Sequence, residues 1–136
     1  MSKLNVVFVI AIIANSSGCI AVQYPSRKRQ QDYDAGKKIR QLVLLQKRYH
    51  ETNGSYAQTI PTLQLSMQSR SELNRPDGCL AGYCYSIKLT AGGFELYAKP
   101  ERAGESGYRS FYVDQSGVLR FTTQSRYANS TDPSLE

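Results

Sequence analysis

Between Lys3 and Arg27 the chain carries no charged residue, and that gap constrains its fold more than any other feature. Residues 4–14 are apolar except for Asn5, and residues 4–22 make 19 positions without a charge. A basic start, an apolar core of about ten residues and a run of small residues form an export signal. Ser16, Ser17, Gly18 and Ala21 supply the small residues. The same run is just long enough to cross about 30 Å of hydrocarbon as a helix. Val6, Phe8, Ile10 and Ile12 would then form a membrane or assembly segment, although Asn15, Ser16 and Ser17 bring polar groups to bilayer depth. The bland alternative, a buried helix of a cytosolic protein, fits poorly with a position at the N-terminus behind Lys3.

Cys19 gives a third reading of the segment. It follows Gly18 as the acylated cysteine of bacterial lipoprotein signals follows a small residue, with Ser16 where a leucine is usual, so Cys19 is a candidate lipidation site. Cys79 and Cys84 flank a short Gly-containing stretch, and outside the cytoplasm they are expected to form a disulfide. Zinc is the competing use, but beyond these two cysteines only His50 is at hand, short of four ligands.

Charge is as uneven as hydropathy. Residues 1–54 hold nine basic and three acidic residues, the whole net charge of +6, and the remainder is neutral. Residues 26–52 read as a helix, with Ala35, Ile39, Leu42, Val43, Leu45 and Tyr49 on one wide stripe and Gly54 as its stop. Asp32 and Asp34 are expected to favour its start through the helix dipole, and Gly36 to cost some stability. Arg27, Lys28, Arg29, Lys37 and Lys38 lie off the stripe. They form either a solvated face or a contact face for anionic lipid heads or a neighbouring subunit.

The period then changes to two. A loop with one helical turn near Pro61 is expected over residues 55–82, followed by strands near 84–90, 93–99, 109–114 and 118–122. The expected core is Leu42, Leu45, Tyr49, Ile87, Phe94, Leu96, Phe111 and Val113, and residues 123–136 read as a loose tail. The fold class is therefore α+β: an apolar segment (1–22), a basic amphipathic helix (23–54) and an antiparallel β-meander head with a polar tail (55–136).

This order resembles the plan of type IV pilins and of the pseudopilins of type II secretion. Val9-Ile10-Ala11-Ile12-Ile13 is similar to the family's apolar helix core, and Ile20 to Arg29, with Pro25, to the stretch around its helix-kinking proline. Gln46 to Tyr56, where Tyr49 precedes Asn53-Gly54-Ser55-Tyr56, is similar to its helix end. Tyr85-Ser86-Ile87, Phe94 to Pro100 and Phe111 to Arg120 are similar to its strands. The chain departs from the family at its start. No Gly precedes Leu4, and the family's glutamate position falls on Asn5 or Phe8.

The resemblance implies a non-enzymatic structural or accessory subunit of a pilus or pseudopilus. It would sit in the cell envelope, in the inner membrane with its head in the periplasm or outside the cell, beside other pilin-like subunits. The alternative is an exported or lipid-anchored binding module, outer-membrane or secreted. No catalytic residue, metal ligand or cofactor is expected. His50 is the single histidine and lies at the polar end of the helix, and no phosphate-cradling Gly loop is present. Asp114-Gln115-Ser116-Gly117 reads as a hairpin turn rather than the calcium site that some pseudopilins carry. Nucleic acid is a weak candidate partner, through the basic helix alone.

Overall fold

The computed structural model describes residues 26–65 and 78–135. The apolar segment, with Val6, Phe8, Ile10, Ile12 and Cys19, lies outside the described residues. Helix α1 runs Arg27–Asn53. Ser26 caps its start, the hydroxyl accepting from the Arg29 amide, and Gly54 ends it at φ +74° with its amide on the His50 carbonyl. A short α2, Ile60–Leu65, follows. Five strands come next: β1 Cys79–Leu80, β2 Tyr83–Thr90, β3 Gly93–Pro100, β4 Ser110–Asp114 and β5 Arg120–Thr122. They form one antiparallel sheet in chain order, β1-β2-β3-β4-β5.

The pleat sends alternate residues to opposite faces. Register aligns Ile87 with Leu96 and Val113, and Tyr85 with Ala98, Phe111 and Phe121, on the face toward α1. Ala35, Ile39, Leu42 and Val43 fill the space between, with Ile60 and Leu63 closing one end. Leu42, Phe94, Leu96, Phe111 and Val113 are buried as the sequence pattern predicts. Leu45, Tyr49 and Ile87 sit half-buried at the rim of this core. Gln46 is fully buried among them. Its amide donates to the Ala57 carbonyl at 2.8 Å, and its oxygen accepts from the Ala57 amide at 2.9 Å, pinning the segment after α1.

Several expectations need correction. Asp32 and Asp34 lie beyond the first turn of α1, so the dipole is not what places them. Asp32 is buried and bonded to the head. The expected loop over residues 55–82 contains a strand, β1, while the expected Cys79–Cys84 disulfide is present and joins directly opposed positions of β1 and β2 across their turn. The last strand is shorter than expected, because residues 118 and 119 precede the pairing.

The tail is not loose. Residues 133–135 run back along β5, with the Phe121 amide on the Pro133 carbonyl and the Leu135 amide on the Leu119 carbonyl. The tail also folds over the sheet's outer face, where Tyr127 packs on Tyr97 and Ala128 is buried. A polar sequence concealed this return, because its order comes from Arg126 and Asp132, paired at 2.5 Å, and from the Asn129 amide on the Asp132 carboxylate.

Candidate basic groove between the helix and the sheet edge

Residues 29, 33, 36, 37 and 40 recur at helical spacing along one side of α1. In the fold that side faces Tyr108, Arg109, Thr123 and Leu135 across a groove of about 640 Å³. Asp32 builds its wall. One oxygen of the carboxylate accepts from the Tyr83 hydroxyl at 2.5 Å, from the Tyr108 amide at 2.9 Å and from the Arg109 amide at 3.3 Å. The Tyr83 proton is shared with the Arg109 carbonyl, 2.7 Å away. A buried carboxylate is held only when donors replace its water, and these three also fix residues 108 and 109 against the helix. Burial pushes the Tyr83 hydroxyl far above its ordinary range, and the neighbouring Asp32 pushes it further. Tyr85 is raised as well, by burial and then by the Asp34 charge.

Four cations, Arg29, Lys37, Arg40 and Arg109, line the groove. The Arg109 guanidinium lies 4.7 Å above the Phe121 ring, and Lys37 stands 5.7 Å from the centre of Tyr33. Arg40 donates to the Leu135 carbonyl at 3.4 Å, which ties the tail to the far end. None of the four forms an ion pair with a described acid. The acid that lines the groove, Asp32, is already taken by three donors. The floor is Gly36 above Phe111.

Of the expected basic face, Arg29 and Lys37 come together here. Arg27 and Lys38 do not line the groove, and Lys28 turns to the Gly104 carbonyl and the Tyr108 ring. Arg40, Arg109, Tyr33 and Tyr108 join the site although the hydrophobic pattern does not single them out. The helical spacing of Arg29, Tyr33, Lys37 and Arg40 was a usable signal, but Arg109 joins them only through folding. Cys79, on edge strand β1, and Cys84, on the adjoining β2, lie outside the groove lining.

His50 is exposed and stacks on Tyr56 at 4.3 Å. Asp114 holds its own turn, accepting from the Ser116 amide at 2.9 Å, while the Gly117 amide reaches the Asp114 carbonyl at 3.0 Å. Among the described residues no group of His, Cys, Asp or Glu side chains could hold a metal ion. Among those residues no helix is long and apolar enough to cross a membrane. No protein-family model, no curated protein and no solved structure matches this chain.

Proposed function

We propose that the chain is a non-enzymatic, pilin-like structural or accessory subunit of an envelope pilus or secretion pseudopilus. One observation carries the reading. The apolar residues 4–22 lead within a few residues into α1, and α1 buries its stripe beneath an antiparallel meander. In this arrangement residues 4–22 act by being buried, in a bilayer or between the stalks of neighbouring subunits. The folded head is then carried on the water side. The disulfide suits an oxidising compartment such as the periplasm.

A second reading is favoured by the groove. Four cations without acidic partners among the described residues suit an exported or lipid-anchored module that binds an anionic partner.

Intact-mass measurement of protein taken from its native membrane separates the two. A retained apolar segment is expected for the subunit. A cleaved chain or an acyl adduct on Cys19 would replace it with the module. For the segment itself, Ile10→Asp is expected to abolish membrane association, since one charge at mid-span costs about 2.5–3.5 kcal/mol on insertion scales. Variant protein that still fractionates with membranes would rule out the stalk role.

A further inference from the structure

We infer that the groove between α1 and the sheet edge is a receptor for an acidic, extended peptide segment of a partner protein. This inference stands independently of the pilin reading. Arg29, Arg40 and Arg109 present planar guanidinium groups, which match carboxylates in a two-pronged geometry, and Lys37 adds a fourth positive charge. From Arg29 to Arg40 the helix rises about 16 Å at about 1.5 Å per residue. An extended peptide covers that in about five residues at about 3.3 Å each. Tyr33 and Tyr108, both exposed at the rim, supply the Tyr and Arg composition of a protein-binding surface.

The same rings argue against a nucleic-acid strand. Lys37 already stands over Tyr33, and Lys28 stands 5.3 Å from the centre of Tyr108. A base stacking on either ring would compete with a cation for the ring face.

Gly36 gives an independent indication. Glycine within a helix is unfavourable, and a Cβ built there would meet Phe111 and Leu119 at 3.9 Å, an ordinary contact. Packing against the core therefore does not require the glycine. What its missing side chain does provide is depth in the groove floor, where a peptide backbone can approach closely.

The test uses the full chain in zwitterionic detergent, with fluorescein-labelled hexaglutamate as probe and polarisation as readout. Hexaglutamine, hexathymidylate and inorganic phosphate are the comparison ligands. Hexaglutamate is expected to bind and hexaglutamine not to. Arg40→Gln and Arg109→Gln should each weaken binding about tenfold, the usual scale for losing a charged hydrogen-bonded contact. Lys47→Gln makes the same charge change about two helical turns beyond Arg40. It should leave affinity within about twofold, as expected for a charge outside the contact. Gly36→Ala should weaken binding while unfolding at the same or a higher temperature, so its effect cannot be a folding defect.

Equal losses from Lys47→Gln and Arg40→Gln would reduce the effect to net charge and overturn the proposal. Tighter binding of hexathymidylate through the same arginines would make the groove a nucleic-acid site. Displacement of the probe by equimolar phosphate would make it a simple anion site. Absence of hexaglutamate binding would also overturn the inference.

Discussion

The two faces of the sheet are built by different forces. The face toward α1 is apolar, with Phe94, Leu96, Ala98, Phe111 and Val113 nearly or fully buried against Ile39 and Leu42. The opposite face carries Glu95, Tyr97, Lys99, Tyr112, Asp114 and Arg120, covered in part by the returning tail. On the first face stability comes from non-directional burial, so volume matters and exact partners matter less. On the second it comes from rings and hydrogen bonds that work only in one arrangement. Tyr97 meets Tyr112 at 5.4 Å and Tyr127 at 5.7 Å edge-on, and the Tyr97 hydroxyl donates to Glu95 at 2.7 Å.

Truncation should separate the faces most widely. Phe111→Ala on the helix side is expected to cost about 3–5 kcal/mol, the usual range for a buried ring. Tyr127→Ala on the tail side should cost about 1 kcal/mol, since it removes mainly edge-on ring contacts from an exposed residue. Urea unfolding of both variants measures the gap. Comparable losses would mean that the tail is part of the core.

Gln46 tests whether the helix side is as indifferent to partners as the contrast claims, because it is, with Asp32, an exception there. Gln46→Leu keeps the bulk but leaves the buried Ala57 amide and carbonyl without their bonds. The expected cost is about 2–4 kcal/mol, despite the gain in apolar character. A neutral outcome in thermal unfolding would show that water or a shift of the loop satisfies Ala57.

Titration should separate the two faces at acid pH, where only the outer side loses carboxylates held low, whereas at high pH raised tyrosines are found on both. Asp114 and Asp132 both serve the outer side. Burial alone would raise the Asp114 carboxyl, but bonds from Ser116 and Tyr112 and the Arg120 charge outweigh it and hold it below its ordinary 3.8. Asp132 is lowered by its bonds from Arg126 first, and then by the Asn129 amide and the charges of Arg126 and Arg120. Carboxyls depressed in the folded state contribute stability that is complete above the unfolded value and is lost as pH falls through the folded one. Below about pH 4, amide exchange in residues 126–135 should therefore accelerate before exchange in β3.

Tyrosines act at the other limit. Tyr112 is pushed up to about 12 by burial and then by the Asp114 and Glu95 charges, and Tyr83 and Tyr85 are raised on the helix side. Their contribution is complete below the ordinary 10.0 and is lost as pH rises beyond it. Ultraviolet difference spectra should show these rings ionising together with unfolding. Smooth ionisation of all ten tyrosines near pH 10 in folded protein would contradict the burial argument.

What the sequence made legible follows the same division. Ala35, Ile39, Leu42 and Val43 announce the helix stripe, and the alternation of Phe94, Leu96 and Ala98 announces a strand, because burial imposes a period on the chain. Gly54 and Gly117 mark a helix end and a turn through the positive φ that each adopts. Asp32 and the groove's second wall were hidden because they depend on polar contacts far apart in sequence, and the tail because its short-range polar pairs impose no hydrophobic period. Asp32 reads as an N-terminal acid until Tyr83, Tyr108 and Arg109 arrive from the sheet. Arg29 reads as part of either a solvated or a contact face, and which of the two is visible only once Arg109 faces it.

The smallest expected effect is also the one with the opposite sign. Gly36 lies on the helix side, above Phe111 and Leu119, where burial governs. If that side rewards added volume wherever space permits, Gly36→Ala should stabilise the fold by about 0.5–1 kcal/mol. Two effects contribute. The unfolded chain loses freedom, and the new methyl gains ordinary contacts at 3.9 Å without displacing backbone. Gly107 is the matched control, because a Cβ there would collide with the ring and hydroxyl of buried Tyr83, so Gly107→Ala should destabilise. Paired denaturation curves of the two variants decide the point. A destabilised Gly36→Ala protein would show that the helix and sheet are fitted too tightly there for a methyl, and that the helix side depends on close shape as much as on burial.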